Sequence, residues 1–367
     1  MHVAQVSGFV DRQRRSPEQL LDAWPTIMLN ASAVAAAGAR VTVIQAAARN
    51  AVLQRDDVTL RFVAAASTRR SVAAVVRAVR AVRPDIIHFS GIWLPLHTWA
   101  LRHALPNTPL LLQDRANPPG VGWRGVGGRA LLRGVDGAVF TAAELATPFL
   151  AAGMLTRARI FEVPGFTSTF TPGDRDAARI EAGVYGDPCV VWVGRLNEAK
   201  DPFTAIAAFS RALDHLPDAR LWCAYGHATI PVLSEVQRAI ASDERLAASA
   251  SLLGCLPNAR IETLLRAADI FLLSSRREAT GAALVEALAC GATPVVTAIP
   301  AFRALTGNAT VGALFPVGDA VAGAAALVAA ARCASERGRV RCHFEEHWSP
   351  EALGRKLLRV YRDLLEG

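Results

Sequence analysis

Unbroken apolar runs alternate with stretches whose apolar residues recur every three or four positions, and this alternation covers almost the whole chain. In the first half, the runs at 2–7, 40–45, 85–89, 110–113, 138–141 and 160–163 predict buried strands. The stretches at 25–37, 69–82 and 144–152 predict helices between them. A turn-rich segment, Pro164-Gly165-Phe166-Thr167-Ser168-Thr169-Phe170-Thr171-Pro172, interrupts the pattern. The alternation then resumes, with strands at 189–193, 220–224, 252–254 and 270–273 and another starting at Pro294. Helices are predicted at 231–241, 261–267, 282–289, 321–331 and 350–365. Strands and helices alternating at this spacing predict an α/β chain of two doubly wound parallel-sheet domains, 1–168 and 169–348. Such sheets bind ligands beyond the C-terminal ends of their strands. In the first half the polar residues there are Ser7, Gly8, His88, Ser90, Gln113, Asp114 and Thr141.

Residues 274–294 concentrate the candidate chemistry. An apolar strand gives way to the polar loop Ser275-Arg276-Arg277-Glu278, then Gly281, then an apolar helix that Gly291 stops. A helix N-terminus facing a polar loop offers free N–H groups and a positive dipole end to an anion. Two carboxylates, Glu278 before the helix and Glu286 inside it, bracket that position. Upstream, the strand at 189–193 ends at Gly194-Arg195-Leu196, and Asp201 with Pro202 supply an N-cap and first helical residue. Arg195 and Lys200 flank this crossing, where two cations can clamp a diphosphate. Lysine is scarce: of 40 basic residues only Lys200 and Lys356 are lysine.

Composition narrows the classes. Six scattered cysteines (Cys189, Cys223, Cys255, Cys290, Cys333, Cys342) form no CxxC pair and read as free, mostly buried thiols. No metal site is expected. The apolar segment 279–302 is broken by Gly281, Gly291, Pro294 and Pro300, so it reads as buried rather than membrane-spanning. With no signal segment evident at the N-terminus, a cytoplasmic location is expected. Residues 1–165 carry 19 arginines against 10 acids, whereas the remainder is nearly balanced, within a net charge of +8. That excess points to an anionic partner or a peripheral contact with an anionic membrane at the inner face, or simply to a solvated basic face. Basic residues are not interleaved with aromatics, so no nucleic acid is expected. Gly120-Val121-Gly122-Trp123-Arg124-Gly125 matches GxGxxG but follows Asn117-Pro118-Pro119 rather than a strand, and reads as a mobile loop. His88, with Trp93 and Trp99 nearby, is a candidate to hydrogen-bond and stack on a sugar, or else a packed core histidine.

Gly194-Arg195, Lys200, Glu278 and the run Glu286-Ala287-Leu288-Ala289-Cys290-Gly291-Ala292-Thr293-Pro294-Val295-Val296 together resemble the retaining nucleotide-sugar glycosyltransferases of glycosyltransferase family 4. The resemblance implies the GT-B fold, two Rossmann-like domains facing a central cleft, with the helix at 349–367 returning to the first domain. It implies transfer of a sugar from a UDP- or GDP-linked donor to a hydroxyl of a saccharide, lipid-linked or small-molecule acceptor, with no metal and no cofactor. Arg195 and Lys200 would neutralise the diphosphate, Glu278 would orient the donor sugar, and Glu286 would hold the ribose. Ala279, Thr280 and Gly281 would meet sugar or phosphate, and Gly254, Cys255 and Leu256 would frame the base. Gly8 would lie under the diphosphate from the opposite domain.

The chain departs from the family pattern in the first domain, where Gln113-Asp114 replaces the usual His-Asp and Ser7-Gly8 replaces a glycine pair. Ala279-Thr280-Gly281 stands for Gly-Phe-Gly, and Pro164-Gly165-Phe166-Thr167-Ser168 for Pro-Asn-Gly-Val-Asp. An alternative is a degenerate scaffold that binds a nucleotide sugar or partner without transfer. An epimerase of the same fold is the third reading.

Overall fold

The computed structural model describes residues 1–114, 122–132, 134–155, 158–332 and 336–366, without the side chains of 122–126 and 227. The chain divides into two compact units, Met1–Thr167 with Pro350–Gly367, and Ser168–Ser349.

The first unit is built on eight strands: β1 (His2–Ser7), β2 (Arg40–Ala47), β3 (Ala51–Arg55), β4 (Val58–Ala64), β5 (Ile86–Phe89), β6 (Leu110–Gln113), β7 (Gly137–Phe140) and β8 (Arg159–Glu162). Their order is β3-β4-β2-β1-β5-β6-β7-β8. All neighbours are parallel except β3 and β4, an antiparallel edge hairpin that the strand pattern did not reveal. Asp56, at φ 49°, makes its tight turn, a left-handed position that Asp tolerates better than most residues. Chain connectivity reverses direction across the sheet at β1, which lies between β2 and β5. That is the switch point where such sheets leave a crevice.

Two apolar clusters cover the faces of this sheet. One joins Ala4, Val6, Ile44, Phe89 and Leu112 to the helix Val72–Val82. The other joins Val3, Val41, Phe62 and Leu111 to the helix Pro350–Glu366 through Leu353, Leu357, Val360 and Tyr361. Gly354 permits this: a Cβ there would lie 2.1 Å from the carbonyl oxygen of Ala33 in the helix Thr26–Ala36. The segment read as a mobile glycine loop is helical over Gly122–Leu131, while Gly120 and Val121 lie outside the described residues.

The second unit contains β9 (Cys189–Leu196), β10 (Arg220–Ala228), β11 (Ala250–Gly254), β12 (Ile270–Leu273), β13 (Thr293–Thr297) and β14 (Ala313–Phe315). All are parallel, in the order β11-β10-β9-β12-β13-β14. β12 is buried along its whole length, the continuous apolar run expected of a strand covered on both faces. Here the direction reverses between β9 and β12. The strand expected to end near Val193 continues to Leu196, because Gly194 and Leu196 still pair with Tyr225 and Ala228 of β10.

Among the described cysteines all five are free, but burial is less general than expected: Cys255 and Cys342 are exposed, and Cys333 lies outside the described residues. Burial pushes the Cys189, Cys223 and Cys290 thiols up to about 12, which leaves them inert. Among the described residues no helix is long and apolar enough to cross a membrane.

Candidate active site

The β9–β12 switch point of the second unit gathers the charged residues. Beyond β9, residues 197–201 fold into a tight turn. The Lys200 N–H donates to both the backbone and side-chain oxygens of Asn197, each at 3.1 Å. Asp201, left-handed at φ 45°, caps the helix Pro202–Ala212 by accepting from the N–H of Thr204 at 3.3 Å and its Oγ1 at 2.8 Å. The loop after β12 is fastened to this turn. Ser274 Oγ donates to the Asp201 carbonyl at 2.5 Å, the Arg276 N–H to the Ala199 carbonyl at 2.9 Å, and the Arg276 guanidinium pairs with the Asp201 carboxylate at 2.8 Å. Thr297 Oγ1 holds the Ser275 carbonyl from β13 at 2.6 Å.

Two loops joined this way fix their functional side chains against each other. The Lys200 ammonium forms an ion pair with Glu278 Oε1, and Ser275 Oγ donates to the same oxygen at 3.0 Å. Both charged side chains are largely buried, 18% and 13% exposed, so the pair is only weakly screened. Arg195 is exposed and has no side-chain partner among the described residues.

Past Glu278 the chain crosses buried Ala279 and half-buried Thr280 to Gly281, the N-cap of the helix Ala282–Cys290. Gly281 sits at φ 58°, and a Cβ there would come 2.5 Å from Leu305 Cδ1, so any side chain would be strained and would have to displace Leu305. No side chain caps this helix, which leaves its first N–H groups for a ligand. Glu286, one turn in, takes no hydrogen bond from a described residue. Burial raises its carboxyl to about 7, with the Lys200 charge pulling the other way. Gly254 ends β11 at φ 73° with open space at its missing side chain, followed by exposed Cys255 and half-buried Leu256. β11 lies two strands from β9, and these three residues form no hydrogen bond or ion pair with the Lys200–Glu278 cluster.

The first unit holds a second constellation at its own switch point, a cavity of about 410 Å³ at the C-terminal ends of β1, β5 and β6. His88, Trp93 and Gln113 line it; Asp114, Gly8 and Trp99 do not. The His88 Nδ1 lies 2.7 Å from the Tyr361 hydroxyl. Trp99 instead packs against His103, ring centres 4.3 Å apart. Gly8 admits the His97 ring, which would lie 2.4 Å from a Cβ, and Ser71 Oγ lies 2.8 Å from both the Gly8 carbonyl and His97 Nε2. Burial lowers His97 to about 4, so it is neutral. Sequence reasoning missed Gln5, Phe9, Trp24, Asn30 and Gln45, which also line the cavity. A signal existed: Gln5 and Gln45 interrupt otherwise apolar strands, and a polar residue inside a buried strand calls for a partner.

Residues 174–341 match the family described as glycosyl transferases group 1. The chain is 32% identical over 256 residues to a D-inositol 3-phosphate glycosyltransferase of Mycolicibacterium vanbaalenii, a match covering 62% of this chain and 55% of that protein. It spans about half the length of the curated relatives it matches. Sucrose-phosphate synthase from Thermosynechococcus elongatus superposes with a TM-score of 0.73 at 18% identity, over 100% of this chain and 99% of that one. The Anabaena protein HepE in complex with UDP gives 0.73 at 15%, over 99% and 100%. At such identity these structures speak for the fold alone. The architecture is GT-B, and residues 174–341 match the glycosyl transferases group 1.

Proposed function

We propose that the protein is a retaining, metal-independent glycosyltransferase whose second unit holds a UDP- or GDP-sugar and whose first unit takes the acceptor. The observation that carries this is the Lys200–Glu278–Ser275 cluster at the sheet's switch point, on the two loops after β9 and β12, with Arg195 near the end of β9 and an uncapped helix N-terminus following Gly281. In the reaction the bond between the donor's anomeric carbon and the diphosphate oxygen breaks, and its electron pair stays on the diphosphate. The acceptor hydroxyl oxygen bonds that carbon on the same face, and its proton passes to a phosphate oxygen of the donor, so no protein nucleophile is required. Arg195, Lys200 and the N–H groups following Gly281 meet the charge as it grows. Donors fixed in advance act most strongly on charge that exists only in the transition state. Glu278 orients the sugar, Glu286 accepts the ribose hydroxyls, and Gly254, Cys255 and Leu256 frame the base.

The structure of HepE with UDP-glucose supports a nucleotide-sugar donor, and the curated relative's name, D-inositol 3-phosphate glycosyltransferase, supports transfer to a cyclitol acceptor that in that relative is phosphorylated. The test is incubation with a panel of UDP- and GDP-sugars, neutral and phosphorylated acceptors and a chelator. Nucleotide release is followed together with the anomeric proton coupling of the product. Release of one nucleotide per glycoside formed, with the donor's anomeric configuration kept, is expected. Donor binding without transfer to any acceptor would assign the chain to a non-catalytic scaffold, and loss of turnover with the chelator would remove metal independence.

A further inference from the structure

We infer that the cavity of the first unit binds an uncharged, hydroxyl-bearing ring and selects against its phosphorylated form. None of the described residues that line it is an acid, a lysine or an arginine, although the first half of the chain carries the arginine excess. Amides, aromatic rings and hydroxyls make most of the polar and flat surface of the walls, with the His88 imidazole among them. Phe9 packs between Trp24 and Trp93, with ring centres 5.7 and 5.6 Å away, and Trp93 remains 36% exposed. Such a surface suits the C–H face of a saturated ring.

The polar groups opposite are short of partners. Gln113 is only 2% exposed, yet its amide has no hydrogen-bond partner among the described residues. Asn30, 5% exposed, donates to the Gly165 carbonyl at 3.3 Å but leaves Oδ1 buried and unsatisfied. Gln45 spends its amide N–H groups on the Phe9 and Ala46 carbonyls, at 2.7 and 2.9 Å, so its oxygen is what it can offer a ligand. An amide both donates and accepts, which matches hydroxyl groups. Unmet buried amides are costly, and a ligand that pairs with them removes that cost. A phosphate brought here would meet no lysine or arginine among the described lining residues to offset its desolvation.

That the ring is the acceptor rests on the proposed function; that the cavity holds a ring does not. The test titrates the full chain, without nucleotide, with myo-inositol and methyl α-glucoside and with inositol 1-phosphate and glucose 6-phosphate. Trp24 and Trp93 fluorescence and calorimetry report binding. Saturable binding of a neutral ring is expected, about tenfold or more tighter than its phosphorylated counterpart. Gln113→Leu, checked for folding by circular dichroism, should weaken that binding about tenfold while leaving UDP affinity unchanged. Trp93→Ala, at a partly exposed position, should weaken it as well. Equal or tighter binding of the phosphorylated ring, no binding of either neutral ring, or neutral binding indifferent to both substitutions would overturn the inference. Ring binding with no sugar transfer would remove the glycosyltransferase reading and leave this one standing. Transfer to phosphorylated acceptors alone would do the reverse.

Discussion

Glu278 and Glu286 stand eight positions apart in one short segment and have opposite environments. Glu278 is held by the Lys200 ammonium and the Ser275 hydroxyl. Glu286 has no such partners, and burial raises it from its ordinary 4.5 to about 7. The sign of the consequence is definite. A carboxyl raised in the folded state favours folding most below its unfolded value, and that contribution is lost as pH climbs through the folded value. Wild type should therefore lose thermal stability relative to Glu286→Gln as pH rises from 4.5 to about 7. An offset in melting temperature that does not change with pH would contradict it. On the proposed role of Glu286 at the ribose, UDP affinity of the wild type should rise over the same range, because the ionised carboxylate accepts hydroxyl hydrogen bonds more strongly than the acid. Gly281 yields a separate expectation. Gly281→Ala places a methyl against Leu305 at a left-handed backbone position, and a loss of about 1–3 kcal/mol is expected in denaturant unfolding.

At the scale of elements, the joint between the loops after β9 and β12 does the positioning. Asp201 caps the helix Pro202–Ala212 and also binds Arg276 of the other loop. Asp201→Ala should cost about 1 kcal/mol from the cap alone, more through the freed Arg276. Asp201→Asn should recover the cap but not the charge pairing, an ordering that chemical denaturation resolves. Much of this joint was legible. Asp201 and Pro202 announced a cap and a first helical residue, and Gly281 and Gly291 the two ends of a helix, because these residues act locally. The ion pair between Lys200 and Glu278 was not legible as such. Both residues were singled out, but for separate roles, since their meeting depends on β9 and β12 being neighbours across 78 residues of chain. The β3–β4 hairpin escaped for a related reason: half-exposed edge strands lack the unbroken apolar run that marks buried ones.

At the scale of the molecule, the family match covers residues 174–341, while the solved structures superpose over the whole chain, the first unit included. On the proposed function, the donor side depends on local turns and charges, whereas the first unit's cavity is assembled from side chains far apart in the chain. Gln113, Asn30 and Gln45 come from three separate elements, and no local spacing joins them. The C-terminal helix is part of the first unit's core, and Gly354→Ala, which would press a methyl onto the Ala33 carbonyl, should destabilise that unit by about 1–3 kcal/mol. Nucleotide release from the preferred sugar nucleotide by wild type, Arg195→Ala and Lys200→Ala, with folding checked by circular dichroism, tests the central claim most directly. The charge-stabilising role predicts a fall on the order of 10²–10³ in turnover for each variant with the fold intact. Turnover equal to that of the wild type in either variant would contradict it.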